Sequence, residues 1–244
     1  MNGPLGPGTA PKAERSALAV LAEEIHACSV CPRLAGYLGD CRERFPEYWA
    51  RPVAGYGDPE GRLLLVGLAP GYHGSNRTGR VFTGDASGLW LWKALHEVGV
   101  ASQPVSASRE DGMVLRDVWI TAAVRCAPPQ NRPSRSEQDA CFPYLEREVA
   151  LLPRINTVLA LGHLAHDTYL RLWGERPSRH PFGHMALHEL PGEPRWLLDS
   201  YHPSRQNTNT GRLTWEMWIG AITEAVRLSQ RLAAGVAPSA EADE

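Results

Sequence analysis

Four short apolar runs dominate the sequence: Arg62 to Leu68 (RLLLVGL), Val118 to Val124 (VWITAAV), Ile155 to Leu161 (INTVLAL) and Arg195 to Ser200 (RWLLDS). Continuous apolar strands, rather than alternating ones, belong to a sheet buried on both faces, and parallel neighbours then need crossover helices between them. Helical patterns fill those intervals. Ser87 is read as the cap of a helix from Gly88 to Val98, and Ser136 with Asp139 as a capping box for a helix running towards Leu152. Gly162 to Trp173 is amphipathic, and Leu213 to Leu232 makes a last long helix. Upstream, Glu14 to Ala27 carries Leu18, Leu21, Ala22 and Ile25 at helical spacing and delivers Cys28 at its end. Right-handed crossovers then predict one α/β domain with three α/β/α layers and a mostly parallel, four-stranded central sheet. Its expected extent is 15–232, with 1–14 and 233–244, rich in Ala, Pro and Gly, read as disordered extensions.

With 43% hydrophobic residues in 244, the chain can bury a sizeable core. No run reaches the eighteen apolar residues of a membrane span, and Met1 to Lys12 lacks a signal peptide's apolar stretch, so a cytoplasmic monomer is expected. A formal net charge of −2 means that any nucleic acid must be held by a local basic patch. Lys12 and Lys93 are the only lysines, a bias that suits bidentate phosphate contacts or reflects a GC-rich genome. Five cysteines, an odd number, argue against a disulfide framework. Cys28 and Cys31 form a C-x2-C turn, while Cys126 lies in a Pro-rich loop and Cys141 stands apart. Four such residues suit Zn(II) or an iron–sulfur cluster, and spacing alone does not choose.

Ligands of such sheets bind beyond the carboxyl ends of the strands. The segment after the first run, GLAPGYHGSNRTGRVFTGDASG (67–88), has glycines that let backbone approach a ligand, Arg and Ser suited to phosphate, and Phe82 as a stacking face. The segment after the fourth, YHPSRQNTNTGR (201–212), has almost nothing apolar to bury yet follows a core strand, the profile of a binding loop.

Together the G-x-x-P-G loop, the later Phe-Thr-Gly and the His-Pro-Ser loop resemble the uracil-DNA glycosylase superfamily. With Cys28, Cys31, Cys126 and Cys141 the chain is similar to its family 5 (type b) enzymes of thermophilic bacteria and archaea. The resemblance implies a DNA repair hydrolase of base excision repair. Such an enzyme flips a deaminated base out of double- or single-stranded DNA and cleaves its N-glycosidic bond. It also implies a structural [4Fe–4S] cluster on those four cysteines, with Cys41 spare. His202 would donate to the oxygen of the departing base. Ala69 occupies a loop position where relatives generally carry a water-activating group, so Asp85 is the candidate replacement, with Asn76 next; the other reading of Asp85 is a helix cap. Phe82 would stack on the base, with Gly67 and Gly71 also in the binding loop, and Arg205, Gln206 and Asn207 would fill the gap left in the duplex and touch phosphates. Ser75, Ser204 and Arg80 would touch phosphate. Ala122 stands where relatives read the pyrimidine edge with Asn, so selection should be loose and extend to hypoxanthine, with Asn131 either compensating or capping a turn. His96, His163, His166, His184 and His188 are read as structural. A reading from another class is a non-catalytic cysteine-metal module that binds nucleic acid.

Overall fold

The computed structural model describes residues 16–191 and 195–233. The expected extensions 1–14 and 233–244 lie outside the described residues, save Ala233 at a helix end. All four apolar runs are parallel strands: β2 (Leu63–Gly67), β3 (Val118–Ala122), β4 (Thr157–Leu161) and β6 (Arg195–Ser200). The sheet has six strands rather than four. Short antiparallel strands, β1 (Tyr56–Gly57) and β5 (Leu187–Leu190), close its edges, giving the order β1-β3-β2-β4-β6-β5. Neither edge strand shows a continuous apolar run: β1 is two residues long, and most of β5 is at least partly exposed. Such strands need only one covered face, which is why they escape a search for doubly buried runs.

Successive side chains of each strand enter opposite layers. Leu63, Leu65, Ile120, Leu159 and Leu198 join Trp92 and Trp218 on one face, against α4 (Ala86–Glu97) and α8 (Trp215–Ala233). Leu64, Val66, Val158, Ala160 and Leu197 join Tyr169 and Leu170 of α6 (His163–Leu172) on the other. Each buried leucine contributes roughly 1.5–3 kcal/mol, so the alternation fixes the strand register. Among the described residues no helix is long and apolar enough to cross a membrane.

Two caps differ from expectation. α4 begins at Ala86 and is capped by Asp85, whose Oδ1 accepts the Gly88 amide at 2.9 Å, not by Ser87. α5 (Arg135–Ala150) starts one residue before Ser136, so its capping box pairs Ser134 with Glu137. α1 (Ala17–Ala27) ends on Cys28, as expected. An unexpected α2 (Pro32–Arg44) follows, with Cys31 at its N-cap and Pro32 in its first turn; Gly36 and Gly39 obscure its pattern in the sequence.

Candidate active site

β2 lies between β3 and β4, so the chain crosses in opposite directions on either side of it and leaves a crevice beyond the carboxyl ends. The parallel register puts Gly67 beside Ala122 and Leu161 beside Ser200 at that rim. The two loops singled out in the sequence therefore meet. Phe82 and His202 stack across the crevice, with ring centroids 5.7 Å apart and planes 29° from parallel. Gly67 makes this possible, because a Cβ there would lie 2.8 Å from Phe82 Cζ. Phe82 sits at φ +50, a region a bulky side chain rarely adopts, and Trp92 Nε1 holds it there by donating to its carbonyl at 2.7 Å. Gly162, expected only as the start of a helix, follows β4 and brings its Cα side within van der Waals distance of His202: a Cβ would meet the His202 Cβ at 3.7 Å.

Asp85 has one oxygen for the helix and one for the crevice. While Oδ1 caps α4, Oδ2 borders the glycine loop: a Cβ on Gly71 would lie 2.7 Å from it, and one on Gly74 would overlap it. Both readings of Asp85 are thus compatible in one side chain. Burial lowers the pKa of His202 to about 4, and the nearby Asp85 charge opposes the shift without reversing it. At neutral pH His202 is a neutral imidazole with an N–H to donate. Asp85→Ala is expected to destabilise the fold by about 1 kcal/mol through loss of the cap, whereas Asp85→Asn keeps the cap and removes only the charge. Thermal melts of the two variants check this.

The other expected residues divide. Ser204 caps the short helix α7 (Arg205–Asn209), and the Asn207 side chain donates to the His202 carbonyl at 2.8 Å, so both shape the histidine loop from within. Arg205 and Gln206 are exposed beside it. Ser75 and Asn76, in α3 (Ser75–Thr78), are 3% and 0% exposed, behind the loop surface. The Asn76 amide donates to Cys41 Sγ and the Tyr72 carbonyl. Arg80 is not a phosphate contact: it is 5% exposed, ion-paired with Asp111 and bonded to Ser106, a buried brace for the loop before β3. Asn131 is an exposed turn residue at φ +56. Ala69 packs with Cys31 and Cys126 against Leu34, Val124 and Cys141, so the first loop leans on the cysteines.

Those cysteines converge. Cys28, Cys31, Cys126 and Cys141, from the α1–α2 turn, the loop after β3 and α5, line one cavity. Burial pushes the Cys126 thiol well above the usual range, and the other three add to the shift. Four thiols crowded into one cavity form a donor set that a soft metal or cluster fits. Arg33 of α2 grips Glu137 of α5 through two hydrogen bonds of 2.7 and 2.6 Å at the margin, tying α2, which begins after Cys31, to α5, which carries Cys141.

Comparison with known proteins agrees with this geometry. The family model of the Uracil DNA glycosylase superfamily matches residues 54–223. A type-5 uracil-DNA glycosylase of Thermus thermophilus is 52% identical over 85% of this chain and 96% of its own length. Those of Mycobacterium leprae and Pyrobaculum aerophilum are 44% identical (84% of this chain, 93% of theirs) and 45% identical (78% and 83%).

Proposed function

Because the chain belongs to the uracil DNA glycosylase superfamily, and within it to the type-5 enzymes, we propose that it removes uracil and other deaminated bases, hypoxanthine among them, from double- and single-stranded DNA. The stacked Phe82–His202 pair with the Asp85 carboxylate at the same rim is the observation that carries this reading. A base flipped into the crevice would stack on Phe82. The bond between C1′ and the base nitrogen breaks with its electron pair leaving on the base, while His202 donates a hydrogen bond to the base oxygen that gains the charge. Asp85 Oδ2 stabilises the cationic sugar and orients water, whose oxygen bonds to C1′ and whose proton ends on the departed base. Ala122 offers no amide to reject purines.

Cys28, Cys31, Cys126 and Cys141 would hold a [4Fe–4S] cluster, which supplies a structural tie and no step of the hydrolysis. Its support is the convergence of four thiols from separate segments on one cavity.

Single-turnover assay of a U·G duplex tests the reading: free uracil and an abasic site are expected, whereas tight binding without release would favour the non-catalytic nucleic-acid module. Hypoxanthine release in the same assay is expected too. With Arg80 buried, Arg77, Arg205 and Arg212 remain as the basic rim. About three phosphate contacts predict a slope of log K against log salt of roughly −2 to −3, or about thirtyfold weaker binding between 50 and 200 mM salt. A flat salt dependence would remove the rim from the account.

A further inference from the structure

Where α6 packs on the β5–β6 pair, a histidine cluster surrounds the buried Asp199 of β6. His166 and Asp199 are 0% exposed and His188 of β5 is 10% exposed. His166 Nε2 lies 2.8 Å from the His180 carbonyl, which can only accept, so Nε2 carries a hydrogen. The His180 ring is held in turn by Glu175 at 3.1 Å. In the neutral ring, Nδ1 then presents a lone pair to Asp199 Oδ1 at 2.8 Å, and His188 Nε2 lies 3.1 Å from Asp199 Oδ2. A lone pair and a carboxylate this close repel unless positive charge stands between them. A histidine whose far nitrogen is tied to a backbone carbonyl is the arrangement that orients metal-ligating imidazoles. The three donor atoms lie within 4.8 Å of one another.

We propose that His166, His188 and Asp199 bind one divalent transition-metal ion, zinc or its neighbours cobalt and nickel. Two imidazoles and one carboxylate suit these ions; magnesium and calcium prefer all-oxygen sites. The ion would pin α6 and the edge strand β5 to β6, three residues before His202. It is separate from the thiol cavity and does not depend on the glycosylase reading.

The test is equilibrium dialysis of the chelator-treated holoenzyme against micromolar Zn(II), with zinc and iron measured on the same sample. The expected result is about one zinc per chain, unchanged iron, and a melting temperature raised by about 5 °C at saturating zinc. His188→Ala, at the sheet edge and outside both loops of the crevice, should take up no zinc and show no shift while excising uracil at the wild-type rate. Magnesium should give neither uptake nor shift. Absence of uptake by the wild type, uptake only as iron is lost, equal uptake by His188→Ala, or an equal shift with magnesium would each overturn the assignment, the first leaving a second proton on His166 as the bridging charge.

Discussion

Replacing His202 by alanine is expected to slow single-turnover uracil release by a factor on the order of 10² to 10³, the usual cost of removing one donor to a developing oxyanion. Duplex affinity should change far less, because the bond strengthens only as charge builds on the base. A pH signature accompanies the loss. The folded His202 stays neutral down to about pH 4, whereas an unfolded histidine protonates near 6.5. Between those values the unfolded chain binds the extra proton, so the wild type loses stability as pH falls from about 6.5 to about 4. His202→Ala lacks this contribution, and its melting temperature should fall less across that window. Parallel melting curves of equal slope would show that His202 is not held neutral by burial.

Removing Cys126 or Cys141 is the second large effect expected. Each thiol joins segments far apart in sequence, and a metal site absent from the unfolded chain contributes its binding free energy to folding. Either alanine variant should lose iron and melt on the order of 10 °C lower or more. Because Ala69 packs against these cysteines, activity should fall with iron content even below the melting transition. Full iron and an unchanged melting temperature in either variant would refute the ligand assignment. Cys41, buried against Asn76 and outside the cavity lining, should be replaceable by alanine without loss of iron.

The parallel core was legible because strands buried on both faces leave an unbroken apolar run, as LLLVG does in β2. Edge strands leave no such mark, so β1 and β5 were not. Both site loops were legible because polar, glycine-rich segments directly after core strands have no packing reason to be there. What individual residues do inside those loops was less so. Arg80 resembles a phosphate contact in sequence, and only the fold brings Asp111 and Ser106 to it. Asp85 could be read as cap or as catalyst, and the split between its two oxygens depends on where Gly71 and Gly74 fall. The histidines of α6 and β5 gave no signal: His188 and Asp199 sit on neighbouring strands, and His166, 33 residues before Asp199, reaches them only when α6 packs on that pair.

The central claim is that chemistry resides where Phe82, Asp85 and His202 meet. Its most direct test is the single-turnover rate of the Asp85→Ala/His202→Ala double variant on a U·G duplex, with duplex affinity measured on the same preparation. The account predicts at least about a thousandfold slower uracil release with affinity within a fewfold of wild type. Release at the wild-type rate by a fully bound double variant would contradict it.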